Sequence, residues 1–234
     1  MTFFILGTLL LLVFLVMSTY RTAQILRDLP ATLNVLLLPA ENIFRGVLIA
    51  ICVGLAQASE LSSAQLGWQV RDPVREVILG GGVGLAFALA LPPLTRFAVA
   101  RFGARVYSPL VVQRVLPRTP REWVLVPLAL VPAVLLEELL FRSLWLGGFG
   151  AFVPPAALVV IGSALFGVLH LAQGILGVLV AGALGLVFAG LFLLTPGLLA
   201  PFVAHYVVNL LQLVWAARDK NFLENLDANA SGDF

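Results

Sequence analysis

The chain has 234 residues, 61% of them hydrophobic and only 11% charged, with a formal net charge of +2 and a mean hydropathy of +1.04. Soluble domains are roughly half apolar, so this composition excludes one and assigns the chain to a bilayer. The small charge, confined to loops beside apolar runs, excludes a nucleic-acid partner.

Backbone groups in hydrocarbon must be bonded within their own segment, and no stretch shows the alternation of a barrel strand. The expected fold is therefore all-α, a polytopic bundle of about seven transmembrane helices forming one membrane domain over 1–234. The spans are 2–19, 36–57, 77–95, 123–146, 154–171, 174–194 and 197–217. The first, "MTFFILGTLLLLVFLVMSTY", has no basic residue ahead of its apolar run and reads as a retained span rather than a secretory leader. Glu41 and Arg45 interrupt the second, which is expected to be either partly interfacial or broken near Pro39. Cys52, the lone cysteine, reads as a small buried hydrophobe. The segment 96–121 carries six arginines, and alternating sides from it places Arg21, Arg27, Arg218 and Lys220 with them. Ten basic residues thus face Arg71 and Arg75 across the membrane, which predicts an N-terminus outside and a C-terminus in the cytoplasm of a bacterial cell membrane. The arginine-rich segment is read mainly as a topology signal. Gly174, Gly177, Gly182, Gly185 and Gly190 offer small faces for helix packing. The tail 218–234 is polar and expected to be loosely ordered.

Charges inside membrane helices are rare and usually functional. Here they are Glu41 and Arg45 in the second span, and Glu137, Glu138 and Arg142 in the fourth; both histidines, His170 and His205, lie in the fifth and seventh. Residues four apart share a helix face, whereas neighbours diverge by about 100°. Glu138 therefore pairs with Arg142 and Glu41 with Arg45, both as structural pairs, and Glu137 is left without a local partner. His205 and Asn209 share a face, as do Phe166 and His170. A carboxylate, two imidazoles and a carboxamide in a water-accessible cavity suit acyl-bond hydrolysis. Glu137 would act as general base, His170 would hold the water, and His205 and Asn209 would donate to the oxyanion. No serine or cysteine nucleophile setting and no HExxH zinc motif is evident.

The runs "EELLFR" (137–142), "FGVLH" (166–170) and "HYVVN" (205–209) resemble the EExxxR, FxxxH and HxxxN motifs of the CPBP family, the CAAX proteases and bacteriocin-processing enzymes also called Abi. The resemblance covers about 120–215. It implies an intramembrane endopeptidase of about eight helices, one more than the seven spans counted here, related to enzymes that remove the last three residues of prenylated proteins. It also implies Glu137, His170, His205 and Asn209 as the catalytic set, with Glu138, Arg142 and Phe166 supporting. No cofactor is favoured; the alternative is zinc held by Glu137, His170 and His205. A non-catalytic scaffold or immunity-type protein is the competing reading from another class, and a proton-coupled transporter lacks support from inverted repeats. The expected partners are the bilayer and a peptide or membrane-anchored protein substrate. Depth measured along the spans puts His170 nearer the cytoplasmic end than Glu137 or His205. Tilt, or a late helix start after Pro154 and Pro155, must close that gap.

Overall fold

A computed structural model describes residues 1–28, 30, 33–219, 222 and 226, with Ala23 and Arg27 described by backbone alone. Lys220 and most of the polar tail fall outside these residues. The helices, in chain order, are α1 (Thr2–Asp28), α2 (Pro39–Ala58), α3 (Pro73–Phe102), α4 (Leu110–Val115), α5 (Pro120–Glu138), α6 (Pro155–Val168), α7 (Gly174–Leu194) and α8 (Leu199–Arg218). A π-helix, Leu139–Gly147, continues α5 without a break. The fold is all-helical, as the composition requires.

Proline sets where these helices begin. It occupies the first turn of α2, α3, α5 and α6, where its missing N–H is not needed and its fixed φ suits the helix. Side-chain caps reinforce two of these starts: Asp72 accepts from the Arg75 N–H at 3.0 Å, and Thr119 from the Glu122 N–H at 3.2 Å. The break expected near Pro39 is present, since a short 3₁₀ turn, Val35–Leu37, precedes α2.

Six helical stretches are long and apolar enough to cross a membrane, α5 and its π continuation counting as one; the chain is an integral membrane protein. The fifth expected span is the exception. α6 has 14 residues, about 21 Å at 1.5 Å per residue, short of a hydrocarbon core of about 30 Å. The arginine-rich segment also differs from a plain loop. Residues 96–102 extend α3, and Arg114 on α4 is buried, donating from Nε to the Leu26 carbonyl at 3.0 Å. Arg96 pairs with Asp219 and lies over the Trp215 ring. A helix persists past charged residues as long as its backbone bonds do, so hydropathy reports where the membrane ends rather than where the helix ends.

Three apolar clusters hold the bundle. The largest joins α1, α2, the π-helix and α6 through residues such as Phe4, Cys52, Leu140, Leu144 and Phe166; Cys52 is fully buried, as expected. A second joins α3, α7 and α8, and a third joins α4, α5 and α8. α8, which carries His205, lies so close to α3 that a Cβ at Gly84 would stand 2.7 Å from the Ala204 carbonyl; a Cβ at Gly80 would collide with that of Ala200. Small residues are what allow such backbone approach. Gly84→Val is therefore expected to lower stability by about 1–3 kcal/mol, the usual penalty of overpacking. Gly81→Val, one turn position away in open space, serves as the control. Thermal unfolding in detergent checks this, and equal melting temperatures for the two variants would contradict the packing described.

Candidate active site

Five elements meet around a cavity of about 370 Å³. α5 ends on the glutamate pair, α6 ends just before His170, α8 brings His205 and Asn209, and α1 and α2 supply further wall residues. Glu137, His170 and Asn209 all line the cavity, whereas His205 does not. Its ring lies behind the wall, 3% exposed, stacked on Phe188 at 4.9 Å and edge-on to Phe166 at 5.7 Å.

The two neighbouring glutamates diverge, as a helix demands. Glu137 keeps a third of its side chain exposed. Its Oε2 nevertheless lies in a buried spot without a hydrogen-bond partner, and His205 Nε2 is 3.6 Å away, beyond hydrogen-bond reach. A carboxylate oxygen left unsatisfied in a low-dielectric setting is costly, and it gains most from any donor that arrives. Glu138 points the other way and is fully buried. Its Oε2 stands 3.2 Å from Arg142 Nε, but out of line for a hydrogen bond, so charge rather than directional bonding holds that pair. The pairing expected from the four-residue spacing is present.

Glu138 has a second partner that spacing could not reveal. Its Oε1 meets His205 Nδ1 at 2.8 Å, across 67 positions of chain. The imidazole therefore bridges the two glutamates, with Nδ1 on Glu138 and Nε2 toward Glu137. A hydrogen bond at one ring nitrogen fixes the orientation of the other. The glutamate read as half of a structural pair thus also orients His205, and the glutamate read as having no local partner is approached by His205 from another helix. Arg142 completes the arrangement, donating to the Gly185 carbonyl at 3.3 Å with its guanidinium 5.0 Å from the Phe166 ring and 5.4 Å from that of Phe188.

His170 lies beyond the end of α6, heading a 3₁₀ turn, Leu171–Gln173. α6 begins at Pro155, within the proline pair rather than after it and one residue past the expected bound of 154. The His170 Nδ1 contacts the Phe166 carbonyl at 2.8 Å and its ring lies 4.8 Å from the Phe166 ring, which leaves Nε2 as the free face. Ser108 donates from its N–H to the Gln173 carbonyl at 2.9 Å, tying the turn to the segment after α3. Phe166 is the hub, since its ring also meets Phe141 at 5.3 Å.

The donors do not assemble as a metal site. Among the described residues no three His, Cys, Asp or Glu side chains converge on one point, and His205 has both ring nitrogens directed at carboxylates. Glu137, His170 and His205, the ligands of the zinc alternative, are thus not gathered on one point in this arrangement.

Two residues assigned a purely structural role also reach the cavity. Glu41 and Arg45, joined at 2.9 Å, line the same cavity as Glu137. Their positions in the sequence offered no sign of this, because they lie a hundred residues from the motifs. Comparison with known proteins gives one match: residues 119–211 fit the family described as Type II CAAX prenyl endopeptidase Rce1-like. No curated protein and no solved structure matches the chain.

Proposed function

We propose, for a chain whose residues 119–211 match the model of the type II CAAX prenyl endopeptidase family, peptide-bond hydrolysis within the membrane by water that Glu137 activates, without a metal. The observation that carries this reading is the Glu137 carboxylate, exposed to a cavity and with one oxygen lacking a hydrogen-bond donor.

Water bound between Glu137 and the free Nε2 of His170 gives a proton to Glu137 as its oxygen adds to the scissile carbonyl carbon. The carbonyl oxygen becomes an oxyanion, and the carboxamide of Asn209, already in the cavity wall, donates to it. The intermediate then collapses, the C–N bond breaks, and the proton held by Glu137 leaves with the amine. In the observed arrangement His205 lies beside Glu137, behind the cavity wall. To serve as the second oxyanion donor it must turn Nε2–H toward the substrate once water and peptide occupy the cavity. Glu138, with Arg142 behind it, keeps the other face of that ring fixed.

The distribution of basic residues supports an outside N-terminus and a cytoplasmic C-terminus. The cavity is bordered by the C-terminal part of α1, the N-terminal part of α2 and α4, so it opens toward the cytosol, where a peptide or a membrane-anchored protein would enter. Purified protein in liposomes is expected to cleave members of a panel of prenylated and unprenylated membrane-anchored peptides, at a rate that survives exhaustive chelation. Loss of activity on chelation, restored by zinc alone, would overturn the metal-free mechanism; a wild-type protein that cleaves nothing in the panel would overturn the proteolytic reading.

A further inference from the structure

The wall that carries Glu137, His170 and Asn209 also carries a second set of polar side chains, Glu41 and Arg45 of α2, together with leucines such as Leu48, Leu136 and Leu140. Arg45 is the unexplained part of this layout. Its Nη2 donates to Glu41 at 2.9 Å, while Nη1 is shut from solvent and has no acceptor. A guanidinium carries five donors in a planar fork that matches a carboxylate, and one bond to Glu41 uses little of that capacity. Its side chain is 13% exposed, whereas Glu41 is 37% exposed, so the pair stands at the cavity surface with its cation only part-satisfied.

We infer that Arg45 is the anchor for a carboxylate of the substrate, which fixes the distance between that carboxylate and the peptide bond presented to Glu137. This rests on the proteolytic reading of the same cavity. Glu41 holds Arg45 in place and neutralises it while the cavity is empty, since an unpaired charge there would be strongly unfavourable. When substrate enters, Arg45 keeps Nη2 on Glu41 and turns its unused donors to the incoming carboxylate. The leucines of the cavity wall accommodate the hydrophobic residues between the anchor and the scissile bond. The carboxylate is either the chain terminus or an acidic side chain; the chemistry at Arg45 is the same for both.

The test uses three peptides of one apolar sequence: a free acid, its C-terminal amide, and the amide with one internal glutamate. Binding to full-length Glu137→Gln protein in nanodiscs isolates recognition from turnover, and cleavage by the otherwise wild-type protein is measured in parallel. One or both carboxylate-bearing peptides are expected to bind roughly tenfold or more tighter than the plain amide, the size of a charge-assisted hydrogen bond. Which of the two is favoured identifies the source. The preference is expected to vanish in Arg45→Gln, with binding of the plain amide unchanged. Because Arg45→Gln leaves Glu41 unpaired and could unfold the helix pair, the neutral double variant Glu41→Gln/Arg45→Gln is measured as well and is expected to lose the same preference. A preference for carboxylate that persists in both variants, or none in the parent, overturns the anchor. Absence of cleavage alongside an Arg45-dependent binding preference overturns proteolysis and leaves the anchor standing.

Discussion

Glu137→Ala is expected to lower turnover by two to four orders of magnitude while the protein stays folded. That is the usual contribution of a positioned general base. The side chain is a third exposed, and the neighbouring imidazole, His205, is held independently by Glu138 at 2.8 Å. Its removal therefore opens no cavity in the packed core, and the stability change falls within the small range typical of substitutions outside such cores. Cleavage assays in liposomes, read beside thermal unfolding of the same preparation, check both halves. Near-wild-type turnover in a folded Glu137→Ala protein would remove this residue from the chemistry.

Glu138→Ala is expected to show the opposite balance. Arg142, 1% exposed, would lose the only carboxylate it contacts among the described residues within ion-pair distance. Breaking a buried pair on one side costs about 3–5 kcal/mol, because the remaining charge stays in a low-dielectric interior. Gly185 and the aromatic faces around the guanidinium cannot supply the missing negative charge. The same change releases His205 Nδ1, so whatever folded protein remains should also turn over more slowly. A second measurement separates the two effects. Glu138→Gln keeps an acceptor for His205 but removes the charge from Arg142, and should recover more of the turnover per folded molecule than of the melting temperature. An unaltered melting temperature in Glu138→Ala would contradict the burial described.

How much of this was legible beforehand depended on whether the interaction was local. The bounds 174–194 of the sixth span coincide with α7, because an uninterrupted apolar run flanked by turn residues leaves one solution. The Glu138–Arg142 pairing was legible for the same reason, being fixed by helix periodicity within four residues. The bridge from Glu138 to His205 was not, since nothing in either helix records which rotation brings them together. Three motifs on three helices implied a common site, yet they could not indicate that His205 would sit behind the cavity wall rather than in it. Arg45 was hidden by a correct local inference. Its pairing with Glu41 is real, and pairing within a helix suggests a satisfied charge, whereas only the surrounding helices show that Nη1 is left without an acceptor. The π-helix after Glu138 was likewise invisible, because an apolar run of this kind suits i→i−4 and i→i−5 bonding equally in composition.

The shortness of α6 reaches beyond the bundle itself. A helix of 14 residues cannot match an ordinary bilayer, so lipid beside it must thin or dip until headgroups and their hydration shell follow it inward. His170 stands just past the end of that helix. The lipid environment thus sets how far bulk solvent is drawn toward the imidazole, and under the proposed hydrolysis the acyl-chain length of the host membrane becomes a control on the supply of water to this site.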